Sequence, residues 1–91
     1  MNIDSSPLIK QNNEGFKQIY IKTLQGKNIT LDITNNDTIL SIKQRIENME
    51  QIPISEQRVV FNGKQLEDTN TIGSYKIEPY SLIYLVFKLR G

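Results

Sequence analysis

Two runs of alternating apolar residues on either side of a glycine turn constrain the fold of this chain more than any other feature. The runs are QIYIKT and NITLDI, and LQGK lies between them. Alternation with a period of two is typical of strands that bury one face. The stretch therefore predicts a β-hairpin whose buried side carries Ile19, Ile21, Ile29, Leu31 and Ile33.

A helical period replaces the alternation in TNNDTILSIKQRIENMEQ. Ile39, Ile42 and Ile46 recur at intervals of three and four residues, which places them along one stripe of a helix. Thr38 is a predicted N-cap, because its hydroxyl can accept a hydrogen bond from a free N–H of the first turn. Pro53 requires the helix to end before it.

The remaining sequence predicts short strands around tight turns. QRVVF predicts a strand, Asn62-Gly63 suits a turn with positive φ at both positions, and KQL predicts a brief strand after the turn. LIYLVFKL predicts the last strand. Its two faces carry Ile83, Leu85 and Phe87 on one side and Leu82, Tyr84, Val86 and Lys88 on the other. The order of elements predicts an α+β fold, a mixed sheet packed on one main helix.

The length of 91 residues fits one compact domain. Residues 1–17 are polar and show no period, so we interpret them as a flexible N-terminal extension. Residues 18–87 form the predicted domain, and residues 88–91 form a predicted flexible tail. The N-terminus lacks a secretory leader, and no run of apolar residues is long enough to span a membrane. A soluble intracellular monomer is therefore expected.

The composition excludes several classes of function. The chain has no cysteine and no histidine, which excludes disulfides, thiolate nucleophiles, Cys/His zinc sites and histidine-dependent base catalysis. A formal net charge of +1 gives no field that would attract nucleic acid or an anionic membrane. No grouping of base, nucleophile and stabiliser is apparent. The sequence predicts neither an enzyme nor a bound cofactor or metal.

Four segments of the chain resemble the ubiquitin family. They are KTL-GK-ITL at 22–31, DTI at 37–39, QR--F-GKQLED at 57–68, and the terminal LRG. The resemblance extends without a gap over about residues 17–91. It implies the β-grasp fold, a location in the cytoplasm and nucleus, and a role as a protein tag. The implied partners are activating, conjugating and ligase enzymes, ubiquitin-binding domains and target proteins.

The resemblance also implies a surface that partners recognise. Leu24, Val60 and Val86 match the apolar recognition patch of the family. The alternation of the strands separately predicts that Val60 and Val86 point outward, and outward aliphatic side chains on adjacent strands form an apolar patch. The implied surface consists of Leu24, Val60, Tyr84 and Val86, with Arg58 and Lys64 at its rim.

The sequence differs from ubiquitin at one position in this surface, Tyr84, and at one position at the end of the helix, Gln51. Tyr84 replaces a histidine, which adds apolar area and a hydroxyl and removes a group that titrates near neutral pH. Gln51 replaces the glycine that closes the helix. If the left-handed conformation is kept, Gln51 carries a strain of roughly 1 kcal/mol. We therefore expect a lower melting temperature than that of ubiquitin.

Several lysines match lysines of the family. Lys64, in GKQLED, is implied to be an acceptor whose amine attacks the thioester of another modifier, in a reaction that a separate enzyme carries out. Lys43 is expected to be structural and to pair with Asp68. The candidate acceptors are Lys22, Lys27 and Lys64.

The end of the sequence matches the tail through which this family is conjugated. Gly91 is the implied conjugation terminus, and Lys88, Leu89 and Arg90 are implied to be read by the activating enzyme. Ubiquitin ends in two glycines, whereas this sequence shows one. Two functions therefore stay open at this point: a covalent modifier joined to target lysines, or a non-covalent ubiquitin-like binding module that is not activated.

Overall fold

The predicted hairpin, helix and later strands are all present in the computed structural model, which describes residues 15–87. The predicted tail and the extension as far as residue 14 lie outside the described residues. The strands are β1 (Phe16–Thr23), β2 (Asn28–Thr34), β3 (Gln57–Phe61), β4 (Lys64–Gln65) and β5 (Leu82–Phe87), and the helix is α1 (Ile39–Glu50). Short 3-10 helices cover Ile54–Glu56 and Gly73–Tyr75.

The strands form one mixed five-stranded sheet in the order β2-β1-β5-β3-β4. The central pair, β1 and β5, is parallel, whereas β1 with β2, β5 with β3, and β3 with β4 are antiparallel. The first and last strands of the chain therefore lie side by side, which brings distant segments together at the centre of the sheet. The predicted α+β arrangement, a mixed sheet on one main helix, is confirmed.

The sheet begins earlier than the sequence predicts. Phe16 pairs with Thr34 and Lys17 pairs with Ile33, so both residues belong to β1 and not to an extension. The side chain of Lys17 also donates a hydrogen bond to the carbonyl of Ile77 at 2.6 Å. The sequence does not show this start, because backbone pairing with β2, and not an apolar period, holds these two residues in the sheet.

The helix and the inner side of the sheet enclose one core. Ile19 and Ile21 of β1 face the helical stripe of Ile42 and Ile46, and all four are at most 1% exposed. The whole buried set is Ile19, Ile21, Ile29, Leu31, Ile33, Ile39, Ile42, Ile46, Val59, Leu66, Ile72, Ile77, Ile83 and Leu85. Ile52 and Phe87 are partly buried and pack against this core. Phe87 therefore faces inward with Ile83 and Leu85, as the alternation of β5 predicts.

The two ends of α1 are defined by the residues that the sequence indicates. The hydroxyl of Thr38 accepts a hydrogen bond from the Ser41 N–H at 3.1 Å, which confirms the N-cap. Gln51 closes the helix in the left-handed conformation, with φ 57° and ψ 35°, and its N–H donates to the Glu47 carbonyl at 2.8 Å. A side chain with a Cβ is strained in this conformation.

A buried amide that sequence analysis did not single out joins the helix to the sheet. Gln57, at the start of β3, is 2% exposed. Its Nε2 donates to the carbonyls of Lys43, at 3.0 Å, and Ile52, at 2.9 Å. Because a buried carbonyl without a donor is costly, these two bonds fix the position of β3 relative to the end of α1.

Candidate interaction surface on the open side of the sheet

The open side of β3 and β5, opposite the helix, carries three of the residues predicted for partner recognition. Val59 and Leu85 pair across the two strands and are buried, at 1% and 0% exposure. Their neighbours along the strands must point to the other side, since side chains alternate. Val60 lies directly opposite Tyr84 there. Paired side chains are about 4.5–5.5 Å apart at Cβ, so these two are in reach of each other.

Leu24 extends this surface from a different part of the chain. Thr23 is in register with Leu85, and Leu24 is the next residue, so it lies beside Val86 at the same end of the sheet. The β1–β2 turn that carries it is held by two hydrogen bonds between Thr23 and Lys27, Thr23 N–H to the Lys27 carbonyl and Lys27 N–H to the Thr23 hydroxyl. Leu24 is 69% exposed. We call Leu24, Val60, Tyr84 and Val86 the recognition patch.

The rim of the recognition patch differs in part from the prediction. Arg58 pairs with Val86 and is exposed, as expected for a polar edge. Lys64, however, pairs with Phe61, and the residue opposite Val60 is Gln65. The two-residue turn at Asn62-Gly63, with φ of 53° and 78°, sets this register. Alternation therefore directs Lys64 away from the patch, into a recess of about 270 Å³ that Phe61, Tyr75 and Lys76 also line.

The candidate acceptor lysines differ in how their amines are engaged. Lys22 is exposed on the open side, in register with Tyr84. Lys64 is exposed, and no carboxylate of residues 15–87 forms a salt bridge with either Lys22 or Lys64. Lys27 is also exposed, but its Nζ lies 2.7 Å from Glu50 Oε1. An amine in such a pair must leave the carboxylate before it can act as a nucleophile.

The expected structural role of Lys43 is confirmed. Its Nζ lies 2.7 Å from Asp68 Oδ1, and the side chain is 8% exposed. The amine is therefore largely buried between α1 and the segment after β4, and the half-exposed Asp68 carboxylate holds it there. This distinguishes Lys43 from the three lysines predicted to be acceptors.

Further apolar residues on the open side were not predicted as part of the site. Leu82 is in register with Tyr20, and the ring of Tyr20 stacks on that of Tyr80, with centroids 6.4 Å apart. Leu82 is 42% exposed and Tyr80 is 66% exposed. The alternation already places Tyr20 and Leu82 opposite the core, so the signal for these two was present. Tyr80 lies in a turn, where no period applies.

The remaining site residues predicted from the sequence are in the tail. Lys88, Leu89, Arg90 and Gly91 lie outside the described residues. Within residues 15–87, the helices are too short and too polar to cross a membrane.

The β-grasp arrangement with an apolar patch on its open side defines a ubiquitin-like protein. Residues 19–90 match the model of the Ubiquitin family. The chain is 48% identical over 73 residues to Ubiquitin-like protein 1 of Schizosaccharomyces pombe, covering 80% of this chain and 94% of that protein. It is 48% identical over 73 residues to Ubiquitin-like protein NEDD8 of Dictyostelium discoideum, covering 80% and 95%. It is 47% identical over 74 residues to NEDD8-like protein RUB3 of Arabidopsis thaliana, covering 81% and 95%.

This chain belongs to the ubiquitin family. Proteins of this family are small protein tags rather than enzymes. The resemblance inferred from the four sequence segments is thereby confirmed.

Proposed function

We propose that this protein is a covalent modifier, joined through the carboxyl group of Gly91 to lysine amines of target proteins and recognised through the recognition patch. The observation that carries the proposal is the exposure of Leu24 and Tyr84 beside Val60 and Val86, on a sheet whose core is complete without them. Apolar residues that folding does not need are typical of a binding surface. Membership of the ubiquitin family and the LRG of the tail support the covalent attachment.

The proposed chemistry belongs to partner enzymes. The Gly91 carboxylate attacks the α-phosphate of ATP, forming an acyl-adenylate and releasing pyrophosphate. A thiolate of the activating enzyme then attacks the acyl carbon, forms a thioester and releases AMP. The amine of a target lysine finally attacks the thioester and releases the thiolate, which leaves an isopeptide bond. The modifier supplies the carboxylate, and Lys88, Leu89 and Arg90 supply the side chains by which the activating enzyme reads the tail.

The recognition patch is proposed to contact the conjugating and ligase enzymes and ubiquitin-binding domains. Its aliphatic residues and the Tyr84 ring provide a dry centre, and Arg58 provides a charged edge. Tyrosine is favourable at such a centre because it contributes a large apolar area at low conformational cost. The protein is proposed to act in the cytoplasm and nucleus, where such enzymes work.

If the modifier itself is extended into chains, we propose Lys22 and Lys64 as the acceptors. Both amines are exposed, and neither is held by a carboxylate of residues 15–87. Lys27 is a weaker candidate because of its pair with Glu50.

Activation can be tested with ubiquitin-activating enzyme, ATP and magnesium. We expect a thioester that reducing agent removes, formed by the chain ending at Gly91 and lost when Gly91 is deleted. A matched variant with a second glycine after Gly91 separates the two functions left open by the sequence. A thioester formed only by that variant would establish the non-covalent binding module instead. No thioester with either variant would contradict the covalent proposal.

A further inference from the structure

Six lysines lie within residues 15–87, and their amines fall into two groups. Three amines have a carbonyl or carboxylate partner at 2.6 or 2.7 Å, those of Lys17, Lys27 and Lys43. No hydrogen bond or salt bridge within residues 15–87 engages the three others, which belong to Lys22, Lys64 and Lys76. Lys76 is exposed, as Lys22 and Lys64 are, although the sequence did not predict it to be an acceptor.

The three unengaged amines lie on two different sides of the sheet. Lys22 is on the open side, in register with Tyr84, so a partner centred on the recognition patch covers it. Lys64 and Lys76 instead line the recess of about 270 Å³ beside Phe61. Phe61 is on the same side of β3 as the buried Val59, which is the side opposite the patch. Lys64 and Lys76 therefore stay accessible while a partner holds the patch.

The backbone that carries Lys76 is firmly held. Lys76 ends the 3-10 helix Gly73–Tyr75 in the left-handed conformation, with φ 56° and ψ 42°, and its N–H donates to the Gly73 carbonyl at 3.1 Å. Ile72 and Ile77, on either side of this turn, are 0% and 1% exposed. The amine is thus carried by a fixed backbone, and a fixed reacting group lowers the entropic cost of attack.

The walls of the recess are fixed as well. The hydroxyl of Tyr75 accepts hydrogen bonds from the Glu67 N–H, at 2.8 Å, and from the Asn70 Nδ2, at 3.0 Å. Phe61, on the other wall, is paired with Lys64 across the β3–β4 turn. The two amines are therefore positioned by independent segments of the chain that meet at the same recess.

The chemistry of the recess suits an acceptor amine. Its lining residues other than the two lysines bring no carboxylate that would hold an ammonium, and they are Phe61, Asn62, Leu66, Ser74 and Tyr75. A tail that ends in glycine has no side chain at the residue that carries the reacting carbonyl. Such a tail can approach an amine at the edge of a small recess without a steric clash.

We infer that Lys76 is a further acceptor of conjugation, and that Lys64 and Lys76 make this recess the acceptor site for a second copy of the chain. The inference rests on the covalent function proposed above. The neutral Nζ of Lys76 attacks the acyl carbon of Gly91 of a second copy, which a conjugating enzyme holds as a thioester. The C–N bond forms, the C–S bond breaks, the cysteine of the enzyme leaves as a thiolate, and the amine releases a proton to water.

The positions of the linkages test the inference. The full-length chain is incubated with activating and conjugating enzymes, ATP and magnesium, and its conjugates are digested with trypsin. Trypsin cuts after Arg90, so an acceptor lysine keeps one glycine and is itself not cut. Mass spectrometry is expected to find this glycine on Lys76 and Lys64 more often than on Lys22. Conjugates with the glycine on Lys22 and none on Lys76 would overturn the inference.

Arginine variants make the test specific, because arginine keeps the charge and cannot act as an acceptor. Lys76→Arg is expected to lose the Lys76 linkage and to keep the Lys64 linkage. The double variant Lys64→Arg/Lys76→Arg is expected to lose most chains. The matched control Lys27→Arg is expected to form chains as the unaltered protein does. Undiminished chain formation by the double variant would show that the recess is not the acceptor site.

Acetylation of the native protein tests the amines without any enzyme. With N-hydroxysuccinimidyl acetate, Lys76 is expected to react as fast as Lys22, and the buried Lys43 much more slowly. A Lys76 amine as slow as that of Lys43 would refute this inference and leave covalent modification to the thioester assay. A thioester together with chains that never involve Lys76 would likewise refute this inference alone. Absence of any thioester would refute both.

Discussion

The two sides of the sheet carry apolar residues for different reasons. On the inner side, Ile83 and Leu85 of β5 are fully buried and pack in the core. On the outer side of the same strand, Leu82 and Tyr84 are 42% and 46% exposed. Folding accounts for the first pair, since burial of aliphatic side chains is the main driving force. Folding does not account for Leu82 and Tyr84. Exposed apolar residues that folding does not explain are typical of a binding surface.

The difference between the two sides can be measured at neighbouring residues of β5. Leu85→Ala is expected to lower the free energy of unfolding by about 2–5 kcal/mol, because it removes a buried side chain and leaves a cavity. Val86→Ala, one residue further and on the outer side, is expected to cost less than about 1 kcal/mol. Urea unfolding of both variants measures the difference. Equal losses would mean that the outer side belongs to the core.

The two ion pairs offer a second comparison between inside and outside. Asp68→Asn leaves the Lys43 ammonium, 8% exposed, without its anion. We expect a loss of about 1–3 kcal/mol in unfolding free energy, less than for a fully enclosed pair because Asp68 is 43% exposed. Glu50→Gln, which breaks the more exposed pair with Lys27, is the control and is expected to cost less than about 1 kcal/mol. If Glu50→Gln lowers the unfolding free energy as much as Asp68→Asn does, the burial of Lys43 does not make its ion pair more important for stability.

Residues on the outer side are expected to affect binding more than stability. Val60→Ser removes apolar area from the centre of the recognition patch and is expected to weaken binding of a ubiquitin-binding domain about tenfold, with little loss of stability. Titration calorimetry gives the affinity. Thr30→Ala, on the outer side of β2 and away from the patch, is the matched control and should leave the affinity unchanged. An equal loss of affinity from both substitutions would mean that the whole open side, and not the recognition patch alone, binds the domain.

The smallest expected effect concerns the backbone at the end of α1, which belongs to neither side. Gln51→Gly relieves the left-handed strain and is expected to raise the unfolding free energy by about 1 kcal/mol, and the melting temperature by about 4–8 °C. Gln44→Gly, the same substitution at an exposed position within α1, is expected to lower the free energy by up to about 1 kcal/mol. Calorimetry of the pair separates strain relief from a general effect of glycine. A lower melting temperature for Gln51→Gly would contradict the strain.

Sequence patterns predicted the faces of the strands well, because alternation is a local property. Val60 and Val86 point outward as expected, and Thr38 caps the helix as expected. The rim was predicted less well. Lys64 is near Val60 in sequence, but the two-residue turn pairs Val60 with Gln65 and directs Lys64 to the other side. Tyr80 escaped prediction because its place against Tyr20 depends on a turn without a period.

The alternating faces, the start of the helix, the turn with positive φ and the family of the chain could all be read from the sequence. These features depend on neighbouring residues or on matching segments. The pairing of β1 with β5 became visible only in the folded chain, and it places Leu24 beside Val86 and Tyr20 beside Leu82. That pairing joins residues about sixty positions apart, and no local preference encodes it. It arises because the helix and both strands must bury their apolar sides in one core.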